Sequence, residues 1–367
     1  MKYRTKEDIE AAKEIISPPG DTLLETMEAL GIKQPELAER MGRPLKTINE
    51  IIKGKAAITP VTALQLERVL GVPAEFWTNR EQNYRLELAA ITDSEQLLEA
   101  EGWAKSFPVK QMITYGWIED THEKLSLINN LLTYFSVADT KAFQTFYIES
   151  LHKSLVTSIR NSSIDQVSLA TWIRAADLVV SKSTVRDFSK SDFQDALTEI
   201  QRLTVHSDKK KIIEPLIRFA NEAGVVVVFS PEIHGNNLLG SARWAHNKPV
   251  IQMRNHYRGL GQFWNVFYHE AAHLMLHGKK DRFIDDVSFV HTRKEKEVEA
   301  NDFAFRYLYS AEAEEEIQKA SEITTQTISG VAKRTNTNAA LLAQCLYAKR
   351  KISENMVNRL ENEFVVD

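Results

Sequence analysis

The run His269-Glu270-Ala271-Ala272-His273 constrains this chain more than any other feature. Residues i and i+4 share a face in an α-helix, so the run predicts a helix carrying two imidazoles one turn apart. Phe263, Trp264, Phe267, Leu274 and Met275 surround it, and such apolar neighbours predict a buried helix. Two buried imidazoles and a carboxylate need partners, and a metal ion supplies them. His269 and His273 are therefore read as ligands of one Zn²⁺, with Glu270 as the general base of a hydrolytic site. The plain alternative, two satisfied surface or core histidines, is compatible with the five residues alone.

A catalytic zinc site takes three protein ligands and keeps one position open. The metzincin pattern would need glycine at 276 and histidine at 279, where this chain has Leu276 and Lys279. Glu295, Glu297 and Glu299 are the downstream candidates. On a helix, Glu297 shares a face with Ala300, Asn301, Ala304 and Leu308, and small alanines there allow close approach to a second helix. Glu299 shares its face with Asp302 and Arg306, a solvated pattern, and Glu295 does little better. Glu297 is the expected third ligand, and Asn301, one turn on, the expected support for a ligating histidine. His277 is read as a histidine favoured by the helix C-terminus. His256 and His291 have no spacing that recruits them.

The N-terminal region follows a different logic. Residues 1–20 read as helical up to the break Ser17-Pro18-Pro19-Gly20, and Asp21 is expected to cap a helix ending near Leu30, before Gly31. Further helices are expected at 34–41 and 45–53, with Gly42-Arg43-Pro44 between them. Another starts at Thr59-Pro60 and ends before Gly71. Five short helices in about seventy residues make a compact all-α module. The pair 34–41 and 45–53 fits a helix-turn-helix whose second helix enters the major groove of double-stranded DNA. Ile48, Ile51 and Ile52 would be buried, leaving Lys46, Thr47, Asn49 and Glu50 outward. Asn49 could read an adenine edge and Thr47 a base or phosphate, while Arg43, Lys53 and Lys55 suit phosphates. Spacing alone fits a small helical bundle with a solvated face equally well.

Charge is compatible with the DNA reading. The net charge is −4 over 367 residues, which disfavours a general nucleic-acid binder. Yet six basic residues against three acidic ones lie between Lys33 and Lys55, and a local surface is all that phosphate contacts need. Cys345 is the only cysteine, so an intrachain disulfide is impossible. The first residues do not show the pattern expected of a signal peptide, and no apolar run approaches membrane length. A cytoplasmic protein with no membrane partner is expected.

The expected fold class is mainly α with a small α+β domain. The expected parts are 1–85, a five-helix helix-turn-helix domain, and 86–214, a helical middle region with amphipathic stretches at 143–158 and 165–181. A small-sheet zinc-peptidase domain at 215–320 and a C-terminal helical segment at 321–367 follow. The middle region is read as packing between the functional parts or making a dimer contact. Val225–Phe229 predicts a buried strand, and Ser241–Trp244 with Pro249–Met253 a hairpin turning at 245–248. Helices are expected at 262–277, 294–309 and through 311–367. The acidic run Glu314-Glu315-Glu316 reads as a solvated face.

Two resemblances extend these readings. Gly31–Ala38 followed by Thr47–Lys55, with Ile58–Leu64 and Pro73–Trp77, resembles the Cro/lambda-repressor-type domain, most closely that of HigA-family antitoxins. Lys33 stands where such domains often carry a serine or threonine cap. The resemblance implies a homodimer that represses its own operon and a cognate toxin partner. Phe263-Trp264 through Gly278, then Glu297, Ala300-Asn301 and Phe303-Ala304, together with Gly240–Trp244 and Lys248–Gln252, resembles the ImmA/IrrE metallopeptidases. It implies the zincin-like fold, His269, His273 and Glu297 as zinc ligands, Glu270 as base, and a repressor or other regulator as substrate. Ala271-Ala272 replaces the usual Leu-Gly, and Tyr307-Leu308-Tyr309-Ser310 the usual hydrophobic-Met-Pro ending. A non-catalytic antitoxin or repressor, whose C-terminal domain only senses a signal or binds a toxin, is the alternative function.

Overall fold

The computed structural model describes residues 2–151, 165–234, 238–279, 283–286 and 295–366. The chain divides into two compact units, Met1–Lys105 with Ile118–Thr133, and Ser106–Trp117 with Tyr134–Asp367. Among the described residues no helix is long and apolar enough to cross a membrane.

In the first unit, α1 (Lys6–Ile15) opens on a capping box made by Thr5 and Asp8. It stops before the proline pair, because a residue preceding proline disfavours the helical region. α2 (Pro19–Ala29) begins earlier than expected. Pro18 is its cap and Pro19 its first residue, a position where the missing N–H costs nothing. Asp21 lies inside the first turn rather than capping it, where its charge suits the positive end of the helix dipole. α3 (Gln34–Met41), α4 (Leu45–Ile52) and α5 (Pro60–Leu70) follow as expected. Gly42 closes α3 at φ 65°, a left-handed conformation that lets the chain turn sharply into α4. Thr59 caps α5 by accepting from the Thr62 N–H. Leu23, Met27, Leu37, Met41, Ile48, Ile51, Ile58, Leu66 and Trp77 form one core. α6 (Ala74–Leu98) packs on it through Trp77 and runs for 25 residues.

The second unit holds a four-stranded sheet. Its strands are β1 (Val226–Ser230), β2 (Leu238–Ala245), β3 (Lys248–Arg254) and, after the short β4 (His256–Tyr257), β5 (Phe283–Asp286). The order is β1-β3-β2-β5. β1 runs parallel to β3, while β2 is antiparallel to β3 and β5. The β2–β3 hairpin turns at His246 and Asn247, both at positive φ, the conformation favoured by two-residue hairpin loops.

Both faces of this sheet are covered, which explains the unbroken valine run of β1. Val226, Val228 and Val250 face α7 (Gln166–Lys182) with Ala176 and Val180. That interface is partly polar: Gln252 donates to the Trp172 carbonyl, and Arg243 to the Ile173 carbonyl and Asp177. Val227, Ala242, Ile251 and Met253 belong to the main core on the opposite face. That core includes α8 (Lys190–Gln201), α9 (Lys209–Glu222), α10 (Leu260–Leu276), α11 (Glu295–Leu308) and α12 (Ala339–Ala348). The stretch 143–158 is helical through 151 with one π-helical turn at Gln144–Glu149, and its remainder lies outside the described residues.

The C-terminal segment departs from the all-helical expectation. Its last element is β6 (Phe364–Val365), which pairs with β4. Phe364 packs on Phe263 of α10, and Glu361 accepts from the N–H groups of Gly261 and Gln262. A two-residue strand has no periodicity to read, so the sequence pattern carried no signal for it. Glu361 thus serves the first turn of α10, whose own cap residue, Gly259, has no side chain to do so.

Candidate metal centre and candidate DNA-reading helix

α10 is buried almost along its whole length, as its apolar flanks require. It packs against α11, and Ala300 and Ala304 of α11 are fully buried. These small residues permit the close approach that brings the Glu297 carboxylate of α11 to the α10 imidazoles. His269 Nε2 lies 3.0 Å from His273 Nε2 and 3.0 Å from Glu297 Oε2. His273 Nε2 lies 3.3 Å from the same Glu297 oxygen. One ligand atom from each residue fits within a 4.8 Å cluster. Glu295 and Glu299 are exposed, whereas Glu297 is 3 % exposed.

These separations suit a common ion. Atoms bound at ~2.0–2.1 Å in a tetrahedron lie about 3.3 Å apart, and two imidazole nitrogens with one carboxylate oxygen are a zinc donor set. The second ring nitrogen of His269 fixes its tautomer. Nδ1–H donates to Asn301 Oδ1 at 3.0 Å, so Nε2 turns its lone pair toward His273 and Glu297. One cation satisfies all three lone pairs together, which a single shared proton does not.

Glu270 is 0 % exposed and belongs to the same helix. Its carboxylate occupies the place where Gly240 of β2 has no side chain: a β-carbon there would meet Glu270 Oε1 at 2.3 Å and Val266 Cγ1 at 2.8 Å. Tyr257 Oη donates to the Leu239 carbonyl and pins the backbone beside Gly240. Burial holds the Tyr257 phenol well above its ordinary pKa, so it is a neutral donor. Ala271 and Ala272, the departure from the usual pair, are fully buried. Tyr307, part of the second departure, stacks on Tyr268 of α10 at 4.8 Å.

His277 stands apart from the cluster. Its Nε2 contacts the Lys296 carbonyl at 3.3 Å, and burial and the neighbouring His273 lower its pKa. His256 pairs with Glu363. His291 lies outside the described residues. Sequence reasoning missed Gly240, Tyr257 and Phe283. Gly240 was visible only as part of a longer motif, and Phe283 has no spacing relation to the histidines.

On α4, Ile48, Ile51 and Ile52 are buried. Thr47, Asn49 and Glu50 are half-buried, and Lys46, Lys53 and Lys55 exposed. Lys46 and Glu50 form an i,i+4 pair at 3.8 Å, an exposed contact of little energetic weight. Arg43 Nε donates to Gln65 Oε1 at 2.6 Å, which ties the turn to α5. The geometry is a helix pair whose second member offers one polar face.

Residues 23–77 match the helix-turn-helix family, and residues 220–346 match the IrrE N-terminal-like domain. The HTH-type transcriptional regulator YddM of Escherichia coli (strain K12) is 32% identical over 74 residues, 20% of this chain and 79% of that protein. The chain belongs to the helix-turn-helix-type transcriptional regulators. Virulence-associated protein A of Dichelobacter nodosus is 34% identical to this regulator over 61 residues, 16% of its chain and 60% of the relative's length. Among solved structures, an addiction module antidote protein of the HigA family from Coxiella burnetii is 27% identical. The match covers 23% of the regulator and 92% of that chain, with a TM-score of 0.22. Both helices that carry the buried His269, His273 and Glu297 group lie inside the region matching the IrrE N-terminal-like domain, a metallopeptidase-like fold.

Proposed function

We propose that this regulator binds operator DNA as a homodimer through α4 and hydrolyses a protein substrate with zinc held by His269, His273 and Glu297. The convergence of these three buried side chains within 4.8 Å carries the reading. A bound zinc would supply the positive charge that acidifies water near neutral pH and polarises a peptide carbonyl. Glu270 takes the proton of the attacking water and returns it to the leaving amine. Asn301 keeps His269 in the ligating tautomer, and Gly240 leaves room for the Glu270 carboxylate to act. The substrate is a repressor, a toxin encoded beside the regulator, or the regulator itself. On the DNA side, Asn49 reads a base edge and Lys46, Thr47 and Glu50 line the groove. Arg43, Lys53 and Lys55 contact phosphates.

Incubating zinc-loaded wild type and Glu270→Gln, alone and with the product of the adjacent gene, tests the enzyme half. Wild type should cut one of these chains while Glu270→Gln keeps its zinc and cuts none. Equal cleavage by both, or none by the loaded wild type, would sink it. A second reading has one observation in its favour: His269 and Glu270 are 0 % exposed, and closed zinc sites are commonly structural. In that reading the C-terminal domain senses a signal or binds a toxin, and Glu270→Gln leaves regulation unchanged.

A further inference from the structure

His269 has a hydrogen-bond partner that sets its orientation, Asn301 of α11. His273 meets an aromatic ring as well. The ring of Phe283 lies flat on the His273 ring, with centroids 3.7 Å apart and planes 7° from parallel. Phe283 is 5 % exposed. It pairs across the sheet with Ala242 of β2 and so points to the α10 face. Its ring also lies 5.0 Å from the His277 ring, and the Lys296 ammonium sits 5.8 Å from its centroid.

An imidazole on a helix can rotate about its side-chain bonds, and a ligand must hold its ring plane so that the nitrogen lone pair points at the metal. Groups around a ligand that fix this plane typically tune metal affinity by ~10–100-fold. A parallel ring at van der Waals contact fixes the plane of His273 while allowing the ring to keep its ligating nitrogen toward the cluster. His273 and His269 meet at 85° between their ring planes, so the two imidazoles need separate supports.

We infer that Phe283 is a positioning residue for His273, so that the sheet-edge strand β5, and not only the two helices, sets the geometry of the metal centre. The inference rests on the reading of His269, His273 and Glu297 as metal ligands. β5 pairs with β2 and with no other strand among the described residues. Orientation of one ligand therefore depends on a strand secured from one side. Displacing β5 would loosen His273 while leaving the His269–Asn301 pair in place.

Titration of the metal-free full chain with Co²⁺, followed by its visible absorption bands, and competition with Zn²⁺ against a chromophoric chelator test this. Phe283→Leu keeps an apolar side chain but removes the flat ring, and Phe283→Tyr restores it. Phe283→Leu should bind Zn²⁺ about 10-fold more weakly and shift the Co²⁺ bands. Phe283→Tyr should return both to wild-type values. Thermal unfolding of each metal-free variant separates a lost stack from a general loss of packing, since a merely structural role would lower the midpoint without moving the Co²⁺ bands. Wild-type band positions and affinity within twofold in Phe283→Leu would overturn the inference while leaving the metal centre intact. Failure of the wild type to bind Co²⁺ or Zn²⁺ would overturn both. A Phe283→Tyr variant as impaired as Phe283→Leu would also contradict it.

Discussion

The two candidate sites use polar side chains in opposite ways. Glu297, Asn301 and the histidines are buried and already face one another at hydrogen-bond distance. Asn49 and its neighbours lie on a polar face whose long side chains, such as the 86 % exposed Lys46, are free to adjust. The first arrangement fits a small charged ligand, because a buried polar cluster is costly until its groups are satisfied. The second fits a large, wet, charged surface such as DNA, where contacts form on docking. Mutational effects should therefore be steep and confined to metal in one region, graded and salt-dependent in the other.

Asn301→Ala should have the largest effect. Removing the oxygen that accepts from His269 Nδ1 should weaken Zn²⁺ by about 10–100-fold in a chelator competition. Operator affinity, read by fluorescence anisotropy, should stay within twofold. A matching loss of DNA binding would break the separation of the two sites. Asn49→Ala is the mirror experiment. It should cost ~1–3 kcal/mol of operator binding and relax the preference at one base pair, with zinc affinity unchanged. A uniform loss across all DNA sequences would instead make Asn49 a phosphate contact.

A smaller effect concerns α10 itself. Burial pushes the Glu361 carboxyl up to about 7, although Arg258 and the Gly261 and Gln262 N–H groups pull it down. The folded value lies above the unfolded one, so the stability linked to this group is present below pH ~4.5 and lost as pH rises through about 7. Thermal midpoints of the wild type should fall relative to those of Glu361→Gln over that interval. Parallel profiles would show that Glu361 does not titrate in this window.

Much of both sites was legible because helices repeat. The i,i+4 histidines, the alanine-lined face of Glu297 and the three isoleucines of α4 are all consequences of 3.6 residues per turn. Asn301 was found the same way, one turn after Glu297. Phe283 and Glu361 were not, because each reaches α10 from a short strand or loop whose pairing depends on distant chain. Gly240 belongs to the same class: its role is the space it leaves for Glu270, which no pattern within β2 announces. The cover that α7 gives the sheet was also hidden, since Arg243 and Gln252 look like exposed residues in sequence yet bond to helix carbonyls.

If His269, His273 and Glu297 hold one zinc ion, as proposed, the metal travels with the folded chain. The zinc content of the full chain purified without chelator, measured by elemental analysis beside His273→Ala, decides this. About one zinc per wild-type chain and next to none in the variant is expected. Folded wild-type protein that carries no zinc and takes up none on titration, or a variant that retains the full amount, would contradict it.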